Sequence, residues 1–148
     1  MSTSYETDFA AWAAEQARLL RAGLVNNIDL ENLAEEIESM GKSEHRELKS
    51  RTMVLIQHLL KWQYQSVYRS ESWRKTIIEQ RTQIPLLLQD SPSLAVSMED
   101  AEWLHLVWDK AVKLAAGETG IEKKVFPASP VWTVTQILND DFYPSEKS

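Results

Sequence analysis

Every apolar-periodic segment of this chain repeats at spacings of three and four residues, and none alternates convincingly at two. That period belongs to amphipathic helices; half-buried strands would alternate. The strongest case runs from about Glu44 to Ser66. Leu48, Thr52, Leu55, Leu59 and Trp62 form one stripe, and Met53, Val54, Ile56 and Leu60 cover most of the remaining circumference. A helix apolar nearly all round belongs at the centre of a core.

Five further helical segments surround it in sequence. The first is expected from about Asp8 to Ala22, with Thr7 as N-cap, Phe9, Trp12, Ala13, Gln16, Leu19 and Leu20 on one face, and Gly23 as its stop. The second is expected from about Leu30 to Met40 with Asp29 as N-cap. Leu30, Leu33, Ala34, Ile37 and Met40 make its apolar stripe, and Gly41 sits just past its end. With Ser43 capping the central helix, this short connection predicts an antiparallel hairpin. A fourth segment runs from about Glu71 to Gln89, where Pro85 should kink the helix or end its regular part. A fifth runs from about Pro92 to Ala116, with a break expected near Ser97 and a seam of Leu94, Met98, Ala101, His105, Trp108, Val112 and Ala115. Gly117 to Pro130 reads as loop. Thr133 and Gln136 then form a capping box opening a last helix through about Asn139. The expectation is a single all-α domain over residues 1–148. It is a compact bundle of about five to six helices with a four-helix core and frayed ends at 1–5 and 144–148.

Composition narrows the chemistry. With 148 residues the chain can bury a core without metal or disulfide staples. It has no Cys, which excludes thiolate zinc sites and Cys nucleophiles. Its four Gly leave little material for a phosphate-cradling loop, and no GxSxG elbow occurs. The first twelve residues do not resemble a signal peptide, and no apolar run approaches the ~20 residues of a membrane span. A cytoplasmic protein without a membrane partner is the expectation.

The net charge of −6 is unevenly distributed. Residues 1–45 carry three basic and nine acidic side chains, residues 46–90 eight and four, and residues 91–148 five and nine. A basic middle between acidic ends is read first as complementary packing within the chain. Overall acidity argues against a dedicated DNA binder.

Several motifs in order resemble a known family. They are DLENLAEEIESMGKSEHRELKSR, HLLKWQYQ, RSESWRKTIIEQR and DSPSL, with YETDFAAWAAEQARLLRAG before them and NDDFYP after them. Together they resemble the bacterial family called domain of unknown function 29, over nearly the whole chain. Where the family usually has Pro after KWQYQ, this chain has Ser66. The resemblance implies a helical bundle of bacterial, cytoplasmic origin and implies no activity.

Three constellations are candidates for function. Glu102 and His105 share a helix face, but a di-metal site needs a second such pair and two more inward carboxylates. No metal and no cofactor are expected, and His105 is read as a core histidine. From Lys61 to Gln83, Trp62, Arg69, Trp73, Arg74 and Arg81 interleave aromatic and basic side chains, a pattern that can stack bases or equally serve a core. Arg74 and Arg81 could pair with Glu36 or Glu38. Finally, Arg51, His58 and Gln65 recur every seven residues beside Trp62, and Gln80 lies within an apolar stripe. Buried polar groups must be hydrogen-bonded, so Arg51, His58, Gln80 and a Glu from the Leu30–Met40 helix are read as a network, or else as the wall of a groove. The favoured function is a non-catalytic module that binds another protein or itself. The alternatives are a small-molecule-binding or enzymatic bundle around His58, and nucleic-acid binding through residues 61–81.

Overall fold

The computed structural model describes residues 4–147; Met1 to Thr3 and Ser148, which belong to the ends expected to fray, lie outside the described residues. Six α-helices follow in order: α1 (Phe9–Ala22), α2 (Leu30–Tyr64), α3 (Glu71–Asp90), α4 (Ala95–Glu99), α5 (Ala101–Thr119) and α6 (Val134–Leu138). The rest of the described chain is short 3-10 turns and loop, with no strand. The fold is the all-α helical bundle that the periodicity predicts.

The chain divides into two compact units, residues 1–43 and 44–148. In the first, Asp8 rather than Thr7 caps α1, its carboxylate accepting from Ala11 N at 3.1 Å. Gly23 ends the helix in the left-handed region at φ 73°, as only Gly does without strain. Asp29 fastens the start of α2 to α1. Its Oδ2 accepts from Trp12 Nε1 at 2.9 Å, and its backbone N–H donates to Gln16 Oε1 at 2.7 Å. Trp12, Gln16 and Leu19 are the buried side chains among this unit's described residues.

The expected antiparallel hairpin at Gly41 does not form. One helix of 35 residues runs from Leu30 to Tyr64, with Gly41 and Ser43 inside it. Gly41 has no positive φ, and the Lys42–Ser50 stretch consists largely of good helix formers. A Gly costs a helix interior about 1 kcal/mol, too little to stop it.

In the second unit, five helices supply side chains to the core. Leu48, Leu55, Ile56, Leu59 and Leu60 of α2 pack with Ile77 and Ile84 of α3, Met98 of α4, and Val107, Trp108, Ala111, Val112 and Ala115 of α5. Phe126, Trp132 and Ile137 close the cluster. The seam expected through residues 94–115 is therefore buried at both ends, but Ala101 and His105 are exposed. Its helix breaks at Asp100 rather than near Ser97, and Asp100 caps α5 by accepting from Glu102 N at 3.0 Å. Pro85 does not end α3, which continues to Asp90. Likewise α5 runs through Gly117 and stops at Gly120, φ 75°. The capping box of Thr133 and Gln136 is present at the start of α6. Beyond Tyr143, Pro144 is buried, and Lys147 N donates to Gln63 O at 2.9 Å.

Candidate functional site

The polar line of α2 does not act as one network. Arg51 and Gln80 do meet, Arg51 Nη1 donating to Gln80 Oε1 at 3.2 Å. The carboxylate beside them is Glu47 from the same helix, 3.3 Å from Arg51 Nε, not one from residues 30–40. His58 takes no part. Its Nδ1 lies 2.8 Å from the carbonyl oxygen of Val54, one turn back. Burial holds the His58 imidazole below its usual pKa, against the pull of the Val54 carbonyl.

The basic-aromatic stretch is largely spent on its own fold. Arg69 Nε donates to Trp62 O at 2.8 Å, and its guanidinium lies 4.9 Å from the Trp62 ring, which also packs on Tyr143. Arg81, expected to pair with Glu36 or Glu38, is instead 4% exposed and bonded elsewhere. It donates to Ile137 O at 2.9 Å and Phe142 O at 2.7 Å, and lies over the Tyr143 ring. It thus satisfies one carbonyl in the last turn of α6 and one beyond it, neither of which has a partner within the helix. Arg74 is exposed. Glu36 accepts instead from the hydroxyl of Tyr5, whose pKa that bond raises to about 12. Glu102 and His105 are both exposed, and no group of three or more metal-ligating side chains occurs among the described residues.

Two of the singled-out residues, Gln65 and Trp73, line a hollow of about 390 Å³ with Lys61, Tyr68, Glu118 and Thr119. Lys61 is 6% exposed, and its Nζ lies 2.6 Å from Glu118 Oε2 and 4.7 Å from the centre of the Trp73 ring. That ammonium lowers the Glu118 pKa by hydrogen bonding. Sequence reasoning missed this pair. The two residues lie 57 positions apart, and no local spacing signals a contact of that range.

The surface that departs furthest from expectation is the apolar stripe of residues 30–40. Its members were read as core, yet Leu30 is 70% exposed, Ile37 66% and Met40 68%. Ala34 and Gly41 are exposed between and beyond them, and Glu31 and Glu38 border the stripe on one side. Leu20, Leu24 and Val25 of the same unit are exposed as well. The four-three-four spacing Leu30, Ala34, Ile37, Gly41 returns as Leu48, Thr52, Leu55, Leu59, where every member is 0% exposed. One helix thus carries the same register twice, once buried and once bare.

None of the helices among the described residues is long and apolar enough to cross a membrane. No curated protein and no solved structure matches the chain. The model of one family, described as domain of unknown function DUF29, matches residues 4–143. That match spans the motifs from Tyr5 to Tyr143 through which the resemblance was drawn, and the chain belongs to the DUF29 family.

Proposed function

We propose that the chain is a non-catalytic helical interaction module whose docking element is the N-terminal unit, and that the stripe Leu30, Ile37, Met40 receives a helix of another protein. The exposure of those three side chains, at 66–70%, carries the reading. Burying a Leu, Ile or Met fully is worth about 1.5–3 kcal/mol, so three of them supply a substantial driving force for association. The small number of buried side chains in the unit points the same way. Units of about 40 residues usually depend on staples or partners. Helix-in-groove recognition uses anchors at this spacing.

Photo-crosslinking in the native host tests the reading. A benzophenone side chain at position 37 is compared with one at the exposed position Lys110. The expected result is one identified protein joined at 37 and not at 110, whose affinity for the purified chain falls in Leu30→Gln plus Ile37→Gln. Equal adducts at both positions, or undiminished affinity in the double variant, would overturn it.

Small-molecule binding is a second reading, favoured by the hollow beside Lys61 with its aromatic wall of Trp73 and Tyr68. Native mass spectrometry of protein from its host decides it. An adduct lost in Glu118→Gln supports it, and the mass of the bare chain contradicts it.

A further inference from the structure

The docking surface on α2 has a second property besides being apolar. Residues 4–43 carry eight acidic and three basic side chains. Glu31 and Glu38, both exposed, stand seven residues apart and border the stripe one position beyond Leu30 and Ile37. In heptad terms Leu30 and Ile37 repeat at one core position, Ala34 and Gly41 at the other, and the two glutamates at the flanking position that sets partner choice. Ala34 and Gly41 supply holes between the knobs. A Cβ added at Gly41 would meet no atom within 4 Å, so a partner side chain has room there.

We propose that the partner is a basic amphipathic helix. It carries large apolar side chains at four-three spacing that seat over Ala34 and Gly41, and two Lys or Arg residues seven positions apart that face Glu31 and Glu38. This rests on the reading of the stripe as a docking site and adds the chemistry of its occupant. Charge decides against an antiparallel second copy of the chain. In an antiparallel pair of identical stripes, Glu31 of each copy meets Glu38 of the other, which places like charges together twice. An acidic partner, or an anionic lipid surface, is repelled by the same rim.

Three synthetic 21-residue helices serve as probes for the full chain, with binding read by fluorescence anisotropy. One has Leu at the core positions and Lys at the flanks, one has the same Leu with Glu at the flanks, and one keeps Lys but replaces Leu by Ser. The Lys–Leu peptide should bind about tenfold tighter than the Glu–Leu peptide, and the Lys–Ser peptide should not bind measurably. Glu31→Lys plus Glu38→Lys should reverse the ranking of the first two. Filling the notch with Gly41→Leu, which favours the helix, should weaken the Lys–Leu peptide at least about tenfold.

Equal binding of the Lys and Glu peptides, an unreversed ranking, or no binding by either would overturn the inference. The underlying docking reading fails separately, if Leu30→Gln plus Ile37→Gln leaves the Lys–Leu peptide bound as before. A concentration-dependent dimer in sedimentation, abolished by Ile37→Gln, would assign the stripe to a second copy and also overturn the basic partner.

Discussion

Ile37 and Leu55 stand 18 residues apart in α2, five full turns of helix, yet Ile37 is 66% exposed and Leu55 is 0%. Equivalent positions of one helical repeat thus have opposite environments. Leu55 belongs to the buried core of the second unit, while Ile37 belongs to the first unit, where few side chains are buried.

The continuity of α2 makes Gly41 a sensitive probe. It is exposed, has no positive φ, and sits inside the helix with open space where a Cβ would go. Gly41→Ala should therefore raise stability by about 1 kcal/mol in urea unfolding followed by circular dichroism. Were Gly41 the left-handed end of a hairpin, the same substitution would lower stability instead.

Arg81 should behave as a structural anchor rather than a surface cation. Arg81→Met removes its bonds to the carbonyls of Ile137 and Phe142 and leaves those acceptors without their donor. The expected loss is about 3 kcal/mol, with faster proteolysis of the residues after α6. Arg81→Lys should recover only part of it, because an ammonium cannot replace the planar fork. A variant that melts with the wild type would show that the clamp contributes nothing.

His58 should make the fold acid-sensitive. Its folded pKa lies below the unfolded value of 6.5 because burial disfavours the imidazolium. The unfolded chain then binds a proton that the folded chain refuses. Stability is full above that unfolded value and falls as pH drops through it toward the folded pKa. The difference in stability between pH 8 and pH 5 should be smaller in His58→Gln than in the wild type. An unchanged difference would mean that His58 titrates alike in both states.

Much of the architecture was legible because helical period is local. The buried stripe Leu48–Leu59, the stop at Gly23 and the capping box at Thr133 all follow from spacing and cap chemistry. The hairpin at Gly41 was misread because a Gly followed by a Ser looks like a helix end and a new cap, whereas their combined cost is small against a helix of 35 residues. The exposed stripe was misread for a different reason. Periodicity reports that a face is apolar, not which element covers it. The partners that bury Arg81 and Lys61 lie 56–61 and 57 residues away. Long-range partners leave no trace in local spacing.

The bare stripe is the claim on which the functional reading stands, and the absence of Cys in this chain allows it to be measured directly. Ile37→Cys and Leu55→Cys each introduce a single thiol, and the rate of disulfide exchange with a small aromatic disulfide is followed in dilute, native protein at pH 8. Accessible thiols react at rates close to those of free cysteine, whereas buried ones wait for local opening. The thiol at 37 should react within about tenfold of free cysteine, and the thiol at 55 at least about a thousandfold more slowly. Equal protection at the two positions would contradict an open docking surface and return residues 30–40 to the core.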